Sequence, residues 1–242
     1  MNKIWLLVPA AGVGSRMQAD RPKQYLSLLG QPIIQLTLQR LQQALPQAKI
    51  VLCLNPDDPY WPEYCDQISG HQAFIFAEGG KERCDTVLNG LAAIAEQADD
   101  DDWVLVHDVA RPCVRAEDIQ KLVSELSDDD VGGILALPVA DTMKRAQPAP
   151  DDSNLRRISG TVDRNRLWHA LTPQMFRYGL LRQSLNQALE QGAVVTDEAS
   201  AIEWAGYQPA LVAGQRDNIK VTHPDDLYFA ELFLTAQGTY TS

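Results

Sequence analysis

The stretch that decides the fold is "KIWLLVPAAGVGSR", residues 3–16. A short apolar run is followed at once by a loop of small residues that holds Gly12 and Gly14 and ends on Arg16. A run this short cannot span a bilayer, and its turn-residue boundary predicts a buried strand. Because the run leads into glycines and an arginine instead of a signal-type cleavage site, we expect a cytoplasmic protein.

The composition is that of an ordinary globular chain with an acidic balance. The 242 residues carry a formal net charge of -11, and 45% of them are hydrophobic. A chain this acidic repels nucleic acid, and we expect neither a nucleic-acid nor a membrane partner. The cysteines are Cys53, Cys65, Cys84 and Cys113. They include no C-x-x-C pair, so the sequence suggests neither a zinc site nor a thioredoxin motif, and we expect buried, reduced thiols.

Apolar runs alternate with helical patterns along the chain, which is typical of parallel strands connected by helices. We therefore predict an α/β fold with a mostly parallel sheet between helices. The predicted strands are "KIWLLV", "KIVLCL", "AFIFA", "WVLVHD", "GGILALPV", "QPALVA" and "NIKVT". Helices are predicted from Pro32, on apolar stripes from Cys84 and Ile119, around residues 180–191 and 197–205, and after "THPDDL".

The regular alternation breaks between Asp141 and Trp168. This segment combines polar and proline-rich interruptions with short strand-like pieces, a pattern that predicts a protruding β-hairpin arm. An arm that cannot bury itself is a common way to clasp a second subunit. We therefore expect a homodimer of one domain, residues 1–242, with a dimerisation arm at about residues 141–168.

The start of the chain is locally positive although the whole chain is negative. Against Asp20 alone, residues 1–30 hold Lys3, Arg16, Arg21 and Lys23. A loop that leaves the carboxyl end of a first parallel strand lies in the crevice where open sheets bind ligands. Glycines there let backbone N–H groups approach phosphate oxygens closely. The sequence therefore predicts a phosphate site at Gly12 and Gly14.

Two common phosphate-binding loops are excluded by their spacing. The Walker A pattern is absent, and the dinucleotide pattern G-x-G-x-x-G/A has Met17 at its third position. The remaining interpretation is nucleotidyl transfer from a nucleoside triphosphate. That reaction needs positioned cations and Mg²⁺ but no protein nucleophile. Arg16 and Lys23 are the candidate catalytic residues, because both can reach the phosphates.

Eight short segments occur in order along the chain: "PAAGVGSRM", "PKQY", "GGKERCDTV", "HDVARP", "DTMKR", "TVDRN", "TDEAS" and "DNIKVT". At these segments the chain resembles the 2-C-methyl-D-erythritol 4-phosphate cytidylyltransferases, and the resemblance covers nearly the whole chain. It implies a Rossmann-like α/β fold and a homodimer formed through an extended arm. It also implies transfer of a cytidylyl group from CTP to a sugar phosphate in isoprenoid-precursor synthesis.

The resemblance implies roles for individual residues as well. Arg16 and Lys23 match the family's transition-state stabilising pair, and Arg164 and Lys220 match residues that position the sugar phosphate as nucleophile. The cytosine pocket would use backbone groups and one hydroxyl, from Ala10, Ala11, Gly80, Lys81 and Thr86. Thr142 and Thr196 match further residues that hold the sugar phosphate, and Asp108 and Arg111 match residues near the methylerythritol hydroxyls and the nucleotide. Because Thr142 and Arg164 lie on or beside the arm, the resemblance implies a site completed across the dimer interface.

Three other functions remain open at this point. A related cytidylyltransferase would use another polyol phosphate, such as ribitol 5-phosphate, although Ala11 stands where those enzymes more often have glycine. A nicotinamide-dependent oxidoreductase is opposed by the incomplete dinucleotide pattern. A catalytically inactive nucleotide sensor is opposed by the intact set of Arg16, Lys23, Asp108 and Arg111.

Several polar residues have simple structural interpretations. His107 is predicted to be a packed, hydrogen-bonded residue, because nucleotidyl transfer needs no imidazole. Asp197 and Thr222 precede helical patterns and are predicted N-caps. The aromatic residues Tyr60, Trp61 and Tyr64 are predicted to pack under a loop.

Overall fold

The computed structural model describes residues 2–12, 14, 17, 19–148 and 155–238. Its strands are β1 (Ile4–Pro9), β2 (Ser27–Leu28), β3 (Gln31–Pro32), β4 (Lys49–Leu54), β5 (Ile75–Glu78), β6 (Trp103–Val106), β7 (Gly132–Pro138), β8 (Met143–Ala146), β9 (Ile158–Val162), β10 (Trp168–Arg177) and β11 (Ala210–Ala213). Its α-helices are α1 (Ile33–Ala44), α2 (Trp61–Tyr64), α3 (Arg83–Ala92), α4 (Ala116–Glu125), α5 (Tyr178–Glu190), α6 (Glu198–Trp204) and α7 (Pro224–Ala236). Short 3-10 turns include Lys23–Tyr25, Cys65–Gln67 and His71–Ala73.

The main sheet has seven strands in the order β11-β7-β10-β6-β1-β4-β5. Strand β1 is parallel to both β4 and β6, and β10 is antiparallel to both of its neighbours. The predicted mostly parallel sheet is therefore confirmed. After β1 the chain crosses to β4 on one side and later returns to β6 on the other. Such a reversal of strand order opens a crevice at the carboxyl ends of the strands.

Helices cover both faces of this sheet, as predicted. Side chains alternate between the faces of a strand. Leu6 and Val8 of β1 pack with residues of α1 and α4, whereas Trp5 and Leu7 pack with residues of α3, α5 and α6. Helix α7 adds a smaller apolar cluster against α1. Among the described residues, none of the helices is both long and apolar enough to cross a membrane.

Strand β10 is absent from the predicted strands, although it lies in the middle of the sheet. It contains Pro173, which cannot donate to a strand ladder and so argues against a central strand. The register against β7 shifts between Ala170 and Gln174, and this irregularity removes the proline from the ladder. The predicted strand "NIKVT" is wrong. Residues 218–222 form an irregular segment in which the Val221 N–H donates to the Ala110 carbonyl.

Of three predicted helix starts, one is confirmed and two are wrong by one residue. Asp197 is the N-cap of α6, as predicted, and its Oδ1 accepts from the Ser200 N–H at 3.0 Å. The N-cap of α7 is His223 and not Thr222, because the chain turns one residue later and places Pro224 first in the helix. Pro32 is likewise the N-cap of α1 and not its first residue.

The predicted arm contains a real hairpin. Strands β8 and β9 pair only with each other within the described chain, in antiparallel register from Met143 opposite Val162. Apolar side chains on the arm are exposed, with 64% of Leu155 and 63% of Ile158 accessible to solvent. The tip, residues 149–154, lies outside the described residues. The β-hairpin is confirmed, while the homodimer stays a prediction.

All four cysteines carry free thiols, as predicted. Only Cys53 and Cys113 are buried, however, and the prediction of burial is wrong for Cys65 and Cys84, which are partly exposed. Both lie at the edges of the fold, Cys65 in a 3-10 turn and Cys84 in the first turn of α3.

Candidate active site

A cleft of about 390 Å³ opens at the carboxyl ends of β1, β5 and β6. Eight of the residues expected from the sequence line it: Ala11, Gly12, Lys23, Gly80, Lys81, Thr86, Asp108 and Lys220. Arg16 lies outside the described residues. Five segments that are distant in sequence therefore converge here, because parallel strands bring the loops at their carboxyl ends to one edge.

The loop after β1 holds the Lys23 side chain against Gly14. Gly14 has a φ of +66°, and a β-carbon at this position would lie 3.0 Å from Lys23 Cγ. Lys23 Nζ donates to the Val221 carbonyl at 3.2 Å. The neighbouring Gln24 is buried and donates to the Ala10 carbonyl at 2.8 Å. Gly14 is thus required for both its backbone conformation and its closeness to the lysine stem.

The loop after β5 approaches the first loop closely. A β-carbon at Gly79 would lie 2.1 Å from Ala11 Cβ, and one at Gly80 would lie 2.3 Å from Asp85 Cβ, so neither position accepts a side chain without movement. The Thr86 hydroxyl accepts from the Gly80 N–H at 2.9 Å and donates to the Glu82 carbonyl at 3.1 Å. Thr86 is buried, and its two hydrogen bonds hold this loop in its conformation.

Asp108, which follows β6, lies at the centre of a cluster of positive charge. Its Oδ1 contacts Arg83 at 3.2 Å, and its Oδ2 contacts Lys220 at 2.9 Å and Arg111 at 3.4 Å. Burial alone would raise the pKa of this carboxyl, but the three cations outweigh burial and hold the pKa well below its usual range. Asp108 is consequently ionised and fixes the direction in which Arg83 and Lys220 face the cleft.

Arg83 is a site residue that the sequence reasoning missed. Its guanidinium lines the cleft and bridges Asp108 to the buried carboxylate of Glu198. Burial lowers the pKa of Arg83, but the two carboxylates outweigh burial and raise it, so the guanidinium stays charged. One signal was present in the sequence: Arg83 is the first residue of α3, where the helix dipole disfavours a cation.

Arg111 and His107 lie behind Asp108 and not in the cleft lining. Arg111 is buried and donates to the Asn218 carbonyl at 2.7 Å. Burial lowers the pKa of His107 to about 4, so the imidazole is neutral, and its Nε2 lies 3.2 Å from the Arg111 carbonyl. The prediction that His107 is a packed, hydrogen-bonded residue is confirmed.

Thr172, in the irregular part of β10, completes this buried network and was also missed by sequence reasoning. Its hydroxyl accepts from the Asp108 N–H at 3.1 Å and lies 3.0 Å from His107 Nδ1. The Arg111 carbonyl beside Nε2 can only accept, so His107 carries its proton on Nε2, and the Thr172 hydroxyl donates to the unprotonated Nδ1. The backbone of Asp108 is thereby held from the neighbouring strand β10.

The residues expected to hold a sugar phosphate are not brought together within one chain. Thr142 and Arg164 are exposed on the arm, and Arg164 donates to the Ala140 carbonyl. Thr196 lines an adjoining cavity of about 390 Å³ that shares Glu82 and Arg83 with the cleft. Of the four residues proposed for this phosphate, only Lys220 faces the cleft itself.

The cleft combines close main-chain loops with the cations of Lys23, Arg83 and Lys220, of which Arg83 and Lys220 contact the ionised Asp108 carboxylate. Among its described lining residues there is no serine, cysteine or histidine that could serve as a nucleophile with its base. Backbone loops and cations at the carboxyl edge of a parallel sheet suit a reaction that only rearranges phosphate charge. Fold and site together define a nucleotidyltransferase.

Comparison with known proteins specifies the kind of nucleotidyltransferase. A family model described as 2-C-methyl-D-erythritol 4-phosphate cytidylyltransferase matches residues 4–236. The chain belongs to this family of CTP-dependent cytidylyltransferases of the methylerythritol phosphate pathway to isoprenoids.

Individual relatives match over nearly their full length. A Vibrio vulnificus (strain YJ016) protein named 2-C-methyl-D-erythritol 4-phosphate cytidylyltransferase is 50% identical over 98% of this chain and 97% of its own. A crystal structure described as 4-diphosphocytidyl-2C-methyl-D-erythritol synthase has a TM-score of 0.80, with 35% identity over 97% of this chain and 99% of that one. The Francisella tularensis cytidylyltransferase structure has a TM-score of 0.78, with 33% identity over 96% of this chain and 100% of that one.

Proposed function

We propose that the chain joins CTP and 2-C-methyl-D-erythritol 4-phosphate, giving 4-diphosphocytidyl-2-C-methyl-D-erythritol and pyrophosphate. The observation that supports this most is that Lys23 lines the same cleft as Arg83 and Lys220, which contact Asp108, beside the closely packed loops of Gly12 and Gly80. Polyphosphate is the chemistry that such a set of cations and backbone groups recognises. The relatives named above carry the corresponding activity in their names.

In the proposed reaction, a phosphate oxygen of the acceptor forms a bond to the α-phosphorus of CTP. The bond from that phosphorus to the bridging oxygen of pyrophosphate breaks, and the electron pair leaves with pyrophosphate. Negative charge therefore grows on the α-phosphate oxygens and on the leaving group. Arg16 and Lys23 would stabilise that charge, while Arg83, held by two carboxylates, adds a fixed positive charge at the wall of the cleft.

The nucleotide base would be read by main-chain groups of the two glycine-bearing loops. The Ala10 carbonyl and the Gly80 N–H already have partners in Gln24 and Thr86. We therefore assign the direct base contacts to Ala11 and Lys81, with Thr86 holding the loop in place. A pocket lined by backbone at such close approach favours a pyrimidine over the larger purine.

Mg²⁺ is the divalent cation that we propose for the reaction. Both oxygens of Asp108 are already paired with Arg83, Arg111 and Lys220, and Glu82, the other carboxylate among the described lining residues, belongs to the N-terminal cap of α3, so neither is a free ligand for a dication. Magnesium typically takes one or two carboxylates together with substrate phosphates and water. With both carboxylates engaged, substrate phosphates and water would supply most of its ligands, and the ion would further neutralise triphosphate charge.

The acceptor phosphate would be bound jointly by two subunits of a homodimer of single-domain chains. Lys220 faces the cleft and Thr196 lines the adjoining cavity, but Thr142 and Arg164 are exposed on the arm. We propose that the arm places these last two residues in the cleft of the partner subunit. The exposed apolar side chains of the arm, Leu155 and Ile158, support burial against a second chain.

Pyrophosphate release tests the proposal directly. The chain is assayed with CTP and Mg²⁺ and with 2-C-methyl-D-erythritol 4-phosphate or ribitol 5-phosphate as acceptor, and ATP replaces CTP as the control. We expect release with CTP and the methylerythritol substrate, and little with ATP or ribitol 5-phosphate. Faster turnover of ribitol 5-phosphate would transfer the assignment to the related polyol enzymes, and equal turnover of ATP would refute the pyrimidine pocket. A CTP-consuming reaction also fits the cytoplasmic location that we propose.

A further inference from the structure

A second cluster of ligand-type side chains lies away from the cleft, in the irregular connection between β4 and β5. Cys65, Asp66 and His71 each offer one ligand atom, and these atoms all lie within 4.8 Å of one another. We propose that this cluster is a surface site for a thiophilic divalent cation of the zinc type. The cleft lining contains none of these residues, so the site is separate from the nucleotidyl transfer chemistry.

The spacing of the ligand atoms suits a tetrahedral ion. Asp66 Oδ1 lies 3.8 Å from Cys65 Sγ and 3.8 Å from His71 Nε2. Tetrahedral zinc with its usual bond lengths of about 2.0 to 2.3 Å sets such atoms roughly 3.3 to 3.7 Å apart. The nitrogen-to-oxygen distance is too long for a direct hydrogen bond, so the two groups face each other without satisfying each other. Movements of a few tenths of an ångström would bring these two pairs of ligand atoms to the spacing found around tetrahedral zinc.

The His71 ring is already oriented for coordination. Its Nδ1 lies 3.1 Å from the Ile68 carbonyl, which can only accept, so Nδ1 carries the proton. Nε2 then has a free lone pair and lies within 4.8 Å of the ligand atoms of Asp66 and Cys65. A histidine that donates its other N–H to a backbone carbonyl is the usual arrangement at metal sites, because it fixes the tautomer and the ring plane.

The chemical types of the three ligand side chains determine which metal ion they would bind. One thiolate, one imidazole and one carboxylate suit zinc or cobalt, whereas Mg²⁺ prefers oxygen ligands alone. Asp66 is exposed, so water can take the fourth position. On binding, the Cys65 thiol releases its proton and gives up its weak 3.6 Å contact with the Pro62 carbonyl.

An ion here would add a link between two short turns that are otherwise connected through the backbone of Ile68. Neither the 3-10 turn Cys65–Gln67 nor the turn His71–Ala73 contributes a buried residue. Between them, Ile68 is buried, and it is the residue whose carbonyl holds His71. The ion would therefore fix the outer side of this connection, and the gain in stability would follow the free metal concentration.

Cobalt binding to the EDTA-treated full chain tests the site. A thiolate bound to Co²⁺ gives a charge-transfer band in the near ultraviolet, and tetrahedral Co²⁺ gives strong visible bands. We expect both bands, saturating at one Co²⁺ per chain and disappearing when Zn²⁺ is added but not when Mg²⁺ is added. Cys65→Ser should abolish the charge-transfer band, and His71→Gln should weaken binding at least about tenfold.

The matched control is Cys84→Ser, which removes the other partly exposed thiol and should leave both bands unchanged. Zn²⁺ should raise the melting temperature of the unmodified chain and of Cys84→Ser, but not that of Cys65→Ser. Circular dichroism establishes that each variant is folded. Absence of a charge-transfer band in the unmodified chain, or a band that survives Cys65→Ser, would overturn the proposal.

Discussion

The Arg83 guanidinium donates two hydrogen bonds to the Glu198 carboxylate, from Nη1 to Oε1 at 2.5 Å and from Nη2 to Oε2 at 3.1 Å. Glu198 is buried at the first turn of α6, while Arg83 opens α3 and faces the cleft. The pair thus ties two helices on the same face of the sheet and holds the guanidinium beside Asp108. A bidentate pair of this kind fixes direction as well as charge.

Arg83→Met should lower the free energy of unfolding by about 3 to 5 kcal/mol, because it leaves the buried Glu198 carboxylate without its partner. Chemical denaturation measures the loss. The double variant Arg83→Met, Glu198→Gln removes the unpaired charge and should recover part of that stability. It should not recover turnover if the cleft needs the guanidinium. Equal stability of the single and double variants would show that the two residues are not coupled.

Lys23→Ala should lower turnover by about 10² to 10³, the range found on deleting one preorganised charge-stabilising donor. Steady-state pyrophosphate release measures the effect, and Arg16→Ala should behave alike. Lys81→Ala is the matched control, since Lys81 also lines the cleft but is exposed and is expected to act through its backbone. Near-normal turnover of Lys23→Ala, or an equal loss in Lys81→Ala, would remove Lys23 from its catalytic role.

Subunit mixing tests whether the arm completes the neighbouring cleft. Arg164→Ala and Lys23→Ala chains should each be nearly inactive, and the Arg164→Ala defect should affect use of the sugar phosphate far more than CTP binding. After subunit exchange, a heterodimer has one site with both residues intact, and activity should partly return. Verified exchange without recovery would mean that each chain supplies its own Arg164.

The neutral His107 predicts a pH dependence of stability. Its pKa falls from 6.5 to about 4 on folding, so between these values the unfolded chain binds a proton that the folded chain does not. Stability from this residue is complete above pH 6.5 and is lost as the pH falls towards 4, by at most about 3 kcal/mol. His107→Gln should reduce the drop in unfolding free energy between pH 7 and pH 5 by about 2 kcal/mol.

The control for that measurement is His169→Gln, which removes an exposed imidazole. It should leave the drop between the two pH values as it is in the unmodified protein. A His107→Gln profile parallel to that of the unmodified protein would contradict a neutral, buried imidazole.

Gly12→Ala tests whether Gly12 is needed for contact with the triphosphate or for packing of the chain. A β-carbon at Gly12 meets no atom of the described residues within 4 Å, and the position needs no positive φ, so the described chain should fold as stably as before. If triphosphate approaches the backbone there, the added methyl group should raise the KM for CTP with little change in melting temperature. Gly160→Ala, whose β-carbon also meets nothing, is the control on the arm. An unchanged KM would place the triphosphate elsewhere.

Local patterns predicted much of this fold. Alternation of apolar runs and helical stripes identified β1, β4 and β6 and the helices that cover them, because each element carries its own periodicity. The Asp197 cap was predictable for the same reason, since its partner Ser200 lies three residues away. The glycine loop and Lys23 were found because a loop after the first parallel strand has a known position in such sheets.

What only the tertiary structure decided depends on contacts between distant residues. Strand β10 forms despite Pro173 because the sheet on both sides supplies partners and the bulge removes the proline from the ladder. Arg83 meets Glu198 across 115 positions of sequence, and Lys220 meets Asp108 only after the chain has crossed the sheet. Cys65 and His71 carry no recognisable metal spacing, and their ligand atoms come close only once Ile68 is buried and holds the imidazole. The sequence by itself determined most of the strands and helices and the glycine loop that lines the cleft, because propensity and periodicity act between near neighbours. Only the tertiary structure determined which charged side chains pair, because electrostatic interaction depends on distance in space and not on distance along the sequence.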